Sequence, residues 1–408
     1  MGAGVGPGYE VDGVVPASVS APASAEAMAR ELNEAATAGH TVLPRGRGTR
    51  MDMGGLLSRI DRVVVTSALS RVVHYEPADL TITVEAGCDL SGLGRLLREN
   101  GQFLPVQATR FRGTVGGLVA TAPEGGTALG YGGVRDHLTG ARAALADGTL
   151  VKGGGRVVKN VAGYPLHRLL AGSFGTLGVL VEASFKVHPL PEAQASLLVA
   201  FATSERAFAF ARRVLECGLE PVFANVLADE GGVFLALGFD GLEPRVGAHV
   251  RGLPDLVAPG RPEGFKILSE EEQGALRRRL DDPAALGGAR STIRLTALPS
   301  RIETATGRVL EAARDAGAKV RLDARPGIGS AYVTLEASDL DTGCRALGAA
   351  LSSARESGHA VVASAPFAVR RAVDPWGPPP PDFFLMKRIK EALDPGGLFA
   401  AGRFVGGI

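Results

Sequence analysis

A short apolar run, Thr41-Val42-Leu43, meets Pro44 and opens into Arg45-Gly46-Arg47-Gly48-Thr49-Arg50. Glycine tolerates φ > 0 and has no Cβ, so a loop with glycine at alternate positions can turn successive main-chain N–H groups into one concavity. An anion is the natural guest. The three arginines add charge, Pro44 stiffens the approach and the Thr49 hydroxyl adds a donor, so a phosphate or pyrophosphate suits the loop better than a carboxylate. An ordinary glycine-rich hairpin turn has the same composition, and the loop alone leaves both readings open.

Composition narrows the guest. The 44 Lys and Arg residues nearly cancel the 43 Asp and Glu residues, and a net charge of +1 offers no field for nucleic acid or anionic lipid. A small molecule fits better. Cys88, Cys217 and Cys344 are odd in number and far apart, which suits a reducing compartment and excludes an iron–sulfur cluster held by the cysteines of this chain alone. No apolar run reaches transmembrane length, and the opening MGAGVGPGYEVDG has neither the basic nor the apolar part of a secretion signal. The expected location is the cytoplasm, or the membrane periphery through a partner. Residues 1–10 are expected to be disordered. A length of 408 residues allows two domains, and 56 glycines imply a backbone used for turns and close approaches.

Along the chain, Val11 to Pro16 reads as a strand and Ser24 to Ala38 as a helix capped by Ser24, with Met28, Leu32 and Ala35 on one side. Strand signals follow at Arg62 to Thr66, Arg71 to Tyr75 and Leu80 to Ala86, then a helix from Asp89 to Asn100 capped by Asp89. A second glycine cluster, Arg112 to Gly117, has glycine at 113, 116 and 117 around Thr114 and Val115, so it is either tightly packed or laid against a ligand. A third, Gly130 to Asp136, includes Gly132 and the adjacent Arg135 and Asp136, which face opposite ways if extended or form a salt-bridged corner. A strand is expected over Leu138 to Ala146. Gly172, Gly175 and Gly178, spaced by three ahead of a strand from Val179, suit neither a helix nor a strand interior but a folded loop pressed against something flat.

Four stretches taken together resemble a known family: Pro44 to Thr49, Gly113 to Gly117, Tyr131 to Asp136, and Val158 to Tyr164 with Gly172 to Val179. They resemble, in the right order over residues 10 to 190, the FAD-binding domain of the vanillyl-alcohol oxidase and p-cresol methylhydroxylase (PCMH-type) flavoproteins. The E subunits of glycolate oxidase are the nearest likeness within that family, and the run Trp376 to Pro381, Met386 to Phe399 and Gly402 to Gly407 resembles them too. The resemblance implies an α+β fold. It places a PCMH-type two-subdomain FAD-binding domain over residues 11–190, a smaller α+β cap domain with an antiparallel sheet over 191–377, and a C-terminal helix and tail over 378–408 packing back on the FAD domain.

It also implies roles. Residues 45–49 would hold the FAD pyrophosphate by backbone N–H groups, with Pro44 and Arg50 beside them. Residues 114–117 would close over the ribityl chain and pyrophosphate, and 131–136 would border the flavin. Gly172, Ser173, Gly175, Thr176, Gly178 and Val179 would present main-chain donors and acceptors. Lys159, next to Asn160, would bring positive charge towards a reduced flavin, and His137 could approach it. Relatives that bind flavin covalently use a histidine in the first loop. No histidine stands between residues 41 and 73 here, so the FAD is expected to be non-covalent.

Catalytic members of the family carry a histidine-rich metal site in their C-terminal half. Beyond residue 189 this chain has only His249 and His359, 110 residues apart. No metal site and no catalytic residue are assigned. Strands expected at 197–203, 222–227, 232–239, 291–298, 331–336 and 358–363, with helices at 204–216, 269–280, 301–316, 342–357 and 383–393, make the second half α+β. The last helix is expected to be capped by Asp382. Arg294, Arg370 and Arg371 are cations for substrate or partner contact. Three functional readings stay open: an FAD-binding subunit of a glycolate-oxidase-like 2-hydroxy-acid dehydrogenase, beside a catalytic flavoprotein and an iron–sulfur subunit; a self-sufficient FAD-dependent oxidoreductase acting on another alcohol or hydroxy acid; and a scaffold with a vestigial FAD site.

Overall fold

A computed structural model describes residues 7–106, 113–156, 164–257, 262–281 and 290–408. The chain divides into two units, one of Met1–Pro123, Gly133–Leu190 and Trp376–Ile408, the other of Glu124–Gly132 and Pro191–Pro375. Residues 124–132, expected in the first domain, thus group with the second.

In the first unit, helix Ala25–Thr37 starts where the Ser24 hydroxyl accepts the Ala27 N–H at 3.1 Å. Its Met28, Leu32 and Ala35 are buried in one cluster with Val42, Val64 and Phe399. Strands Ser18–Ser20, Arg62–Val65 and Val42–Arg45 form a three-stranded parallel sheet in that order. The tail joins it: the Val42 N–H donates to Leu398 O at 2.7 Å and the Ala400 N–H to Val42 O at 3.1 Å. The second sheet has five antiparallel strands in the order Val72–Glu76, Thr81–Glu85, Val179–Lys186, Leu138–Ala144, Leu150–Gly154. Ile82, Val84, Leu180 and Phe185 from it share a core with helices Leu90–Glu99 and Val115–Thr121.

Two expectations here need correction. Val11 to Pro16 is not a strand: Asp12 (φ 55°) and Gly13 (φ 77°) make a tight turn that leaves only an isolated Val11–Val14 bridge, and the first strand begins at Ser18. Arg135 and Asp136 are not extended either. They share the one-turn helix Val134–His137, where the Asp136 carboxylate accepts the Gly133 N–H at 2.8 Å and so caps the turn rather than pairing with Arg135.

The second unit is an eight-stranded antiparallel sheet in the order Gly264–Ile267, Ala193–Phe201, Gly232–Gly241, Phe223–Asp229, Lys319–Arg325, Ser330–Glu336, Arg290–Thr296, His359–Ser364. Alternate strand residues, Leu197, Leu235, Ile293, Leu322 and Val333 among them, share one apolar core with helices Ser204–Glu216, Ile302–Asp315 and Leu340–Ser357. The opposite face carries a smaller apolar cluster, Phe223, Leu227 and Ala236 among it, beside a set of buried polar residues. The Thr292 and Thr334 hydroxyls bond at 3.1 Å, Asn225 donates to Asp323 at 2.7 Å, and the Arg325 guanidinium donates to Glu124 O, Gly125 O, Leu280 O and Asp323. Helix Phe383–Leu393 returns to the first unit; Asp382 occupies its N-cap position, but the carboxylate makes no capping hydrogen bond.

Candidate cofactor groove

Strand Val42–Arg45 ends where the glycine loop begins, in register with Val65 at Arg45. Gly48 sits at φ 71°, and the Arg45 guanidinium lies beneath it, 2.5 Å from where a Cβ would stand. This turn folds Arg45 back under its own loop. Its guanidinium also rests 4.8 Å from the centre of the Tyr9 ring. Gly46 packs just as tightly, because a Cβ there would overlap the Thr114 hydroxyl oxygen.

What this loop leaves unmade defines the site. Among the described residues, the main-chain N–H groups of Gly46, Arg47, Gly48 and Thr49 donate to no protein acceptor. Arg45 Nη1 and Thr66 Oγ1 are buried polar atoms without a hydrogen-bond partner, and both residues line the same groove. Orphaned donors in such number are costly unless a ligand or solvent completes them. Arg47 meets Asp89 at 2.8 Å on the rim. Burial opposes ionisation of Asp89, but hydrogen bonds from Ser91 and the Gly92 N–H, with the charges of Arg47 and Arg95, outweigh it and hold the carboxyl below its usual range.

The second wall is the start of helix Val115–Thr121. Thr114 caps it, its hydroxyl accepting the Gly117 N–H at 3.3 Å. The Val115 and Gly116 N–H groups donate to Cys88 O at 3.0 Å and Ala86 O at 2.7 Å. These amides are therefore spent within the protein; Gly113, Thr114, Gly116 and Gly117 line the groove as a bare wall, with Val115 buried behind them. The third wall runs through Ser173, Phe174, Gly175, Gly178, Val179 and Leu180. Phe174, not a glycine, takes φ 55°, a strained conformation fixed by its N–H on Ala120 O at 2.9 Å and by its ring 5.2 Å from Trp376 and 5.7 Å from Phe404. Gly175 (φ 73°) lies against Pro44, which ties the first wall to the third. The walls bound a cavity of about 90 Å³ that opens to solvent.

Of the residues singled out from the sequence, all of 44–50 line this groove, together with Gly113, Thr114, Gly116, Gly117, Ser173, Gly175, Gly178 and Val179. Thr176 is buried behind the third wall, its hydroxyl on Ser173 O at 2.8 Å, and Gly172 precedes the wall with its N–H on Val119 O. Gly132, Arg135 and Asp136 are not among the lining residues; Gly132 ends helix Ala128–Tyr131 in the other unit. Lys159 and Asn160 lie outside the described residues. His137 is buried with its ring 5.2 Å from that of His188, and His249 packs on Phe239 at 5.1 Å. Among the described residues no three His, Cys, Asp or Glu side chains gather in a way that could hold a metal ion. Sequence reasoning missed Met51, Met53, Thr66, Leu90 and Arg403 among the lining residues.

Three walls, one row of free amides and two orphaned polar side chains suit the pyrophosphate of a dinucleotide, and the architecture around them is that of a PCMH-type FAD-binding α+β protein. The solved structure of p-cresol methylhydroxylase with substrate bound superimposes with a TM-score of 0.75 over 95% of this chain and 88% of that one, at 14% identity. An alkyldihydroxyacetonephosphate synthase structure gives 0.70 over 95% and 77%, at 17% identity. Residues 16–154 match the family model described as FAD binding domain, and the chain carries such a domain.

Among curated relatives, glycolate oxidase subunit GlcE of Escherichia coli is 42% identical over 128 residues, 31% of this chain and 37% of that protein. Glycolate oxidase subunit GlcD of Bacillus subtilis is 31% identical over 188 residues, 46% and 40%. An uncharacterised FAD-linked oxidoreductase of Mycobacterium tuberculosis is 27% identical over 427 aligned positions, 95% and 90%. The matches to the two glycolate oxidase subunits thus span less than half of either one. No described helix is long and apolar enough to cross a membrane.

Proposed function

We propose that this chain is the FAD-binding subunit of a glycolate-oxidase-like 2-hydroxy-acid dehydrogenase complex. It works beside a catalytic flavoprotein and an iron–sulfur subunit, in the cytoplasm or at the membrane periphery through those partners. The carrying observation is that residues 46–49, whose N–H groups donate to no described protein acceptor, line the same groove as Arg45 with its orphaned Nη1. When bound, FAD would supply acceptance and onward transfer of electrons within the complex. The chain's own part is to grip. The amides of 46–49 hold the pyrophosphate, Arg45 neutralises it from below, Thr66 donates or accepts at the groove floor, and the residues of 113–117 and 173–180 shape the walls. No histidine stands between residues 41 and 73 to form a covalent link, and the 42% identity to GlcE over 128 residues favours the subunit reading.

The lone purified chain is expected to be yellow and to release its FAD on acidification; a colourless protein indifferent to added FAD would overturn the proposal. One observation favours a second reading. The Mycobacterium tuberculosis relative aligns over 95% of this chain, and its name describes an oxidoreductase rather than a subunit. Steady oxidation of glycolate or D-lactate by the lone chain with an artificial acceptor would establish that reading of a self-sufficient enzyme.

A further inference from the structure

We infer that two buried cations of the C-terminal segment, Lys390 and Arg403, are positioning residues of the cofactor groove, so that FAD affinity and the docking of residues 376–408 are thermodynamically linked. The inference rests on the FAD reading of the groove.

Lys390 is 8% exposed, and its ammonium has three acceptors: Thr176 O at 2.7 Å, Asp394 Oδ2 at 2.6 Å and Phe399 O at 3.1 Å. They use all three of its donors. Asp394 in turn accepts the Leu398 N–H at 2.8 Å and the Phe399 N–H at 2.9 Å, so the buried pair is satisfied on both sides. Thr176 belongs to the turn that gives the third wall Ser173, Phe174, Gly175 and Gly178. Pinning the Thr176 carbonyl fixes the plane of its peptide and turns the Leu177 N–H to the opposite side from Lys390.

Arg403 is 3% exposed and does the same for the first loop. Its Nη1 donates to Met51 O at 3.1 Å and Met53 O at 2.7 Å, and its Nη2 lies 3.4 Å from Asp12. Met51, Met53 and Arg403 all line the groove. The Arg403 carbonyl closes the arrangement by accepting from the Gly55 N–H at 2.8 Å and from the Trp376 indole at 3.0 Å. Trp376 is the single tryptophan of the chain and touches Phe174 on the third wall. Two walls are thus held from one segment, and a ligand that needs both walls in place stabilises that segment by as much as the segment strengthens its binding.

The test uses the full chain. The pair Lys390→Met with Asp394→Asn removes the hold on Thr176 without leaving a lone buried charge. The pair Arg403→Met with Asp12→Asn removes the donors to Met51 O and Met53 O, likewise without leaving a lone buried charge. Flavin fluorescence titration should show FAD binding weakened about tenfold per folded molecule in each variant, beyond any lowering of the melting point of the FAD-free protein. Reciprocally, FAD should slow trypsin cleavage after Lys387 and Arg388 in the parent and protect less in the variants. A structural role alone would lower the melting point and leave FAD affinity and FAD-dependent protection unchanged, which would overturn the inference. A parent chain that binds no FAD would instead remove the cofactor reading beneath it.

Discussion

Gly46 and Thr114 meet across the groove so closely that one methyl group on Gly46 would overlap the Thr114 hydroxyl, the same hydroxyl that accepts the Gly117 N–H at 3.3 Å. The anion loop and the cap of the second wall are therefore one packed contact. Gly46→Ala is expected to push the loop off the wall or break the cap, costing about 1–3 kcal/mol of stability and weakening FAD. Thermal melts with and without FAD measure both. A variant that binds FAD as the parent does would show that the loop has room the structure denies it.

Arg45 separates affinity from stability. Its Nη1 is buried without a partner in the free protein, so Arg45→Met removes an unmet donor and is expected to change the stability of the FAD-free chain by no more than about 1 kcal/mol. FAD affinity is expected to fall by roughly 10- to 100-fold, as suits a charge-assisted contact to phosphate. Titration of both proteins at two salt concentrations checks this, and the loss should shrink as salt rises.

Arg325 tests the other unit. It is 2% exposed, bonded to Glu124, Asp323 and three carbonyls, and stacked 4.9 Å from the Tyr332 ring centre. Arg325→Met strands two carboxylates and is expected to destabilise that unit by about 3–5 kcal/mol. FAD affinity per folded molecule should stay at the parent value, since every lining residue of the groove belongs to the first unit. Chemical denaturation followed by flavin fluorescence separates the two effects.

Acid sensitivity follows from His188. Burial, then the neighbouring His137 and Lys186, pushes its pKa from 6.5 down to about 4. Between those values the unfolded chain takes up a proton that the folded chain refuses, so this residue makes stability fall as pH drops from about 6.5 to about 4 and adds nothing further below. His188→Asn removes that dependence. Unfolding midpoints of variant and parent should draw apart across this window, with the parent losing more towards acid.

Signals that depend on neighbours in sequence were readable before any coordinates. Ser24 and Asp89 cap their helices as their positions suggest, and the last helix has the bounds expected of it, Phe383–Leu393, although Asp382 does not cap it. Long-range consequences were not. Gly116 and Gly117 argue against a helix by propensity, yet Thr114 caps one there because Ala86 and Cys88 take up its first amides. Strand Lys319–Arg325 alternates charge with Val320, Leu322 and Ala324, the two-residue period of a half-buried strand, yet it is not among the expected strands. In the groove, glycine spacing marked the walls. Nothing local marks Thr66, or shows that Arg403 reaches back some 350 positions to Met51 and Met53.

The central claim is that free amides at 46–49 grip a pyrophosphate, and the most direct measurement compares FAD with riboflavin, which has the same ring and no phosphate. Calorimetric titration of the flavin-free chain should give FAD binding at least about 100-fold tighter than riboflavin, with Gly46→Ala erasing most of the difference. Equal affinity for the two flavins would contradict the account.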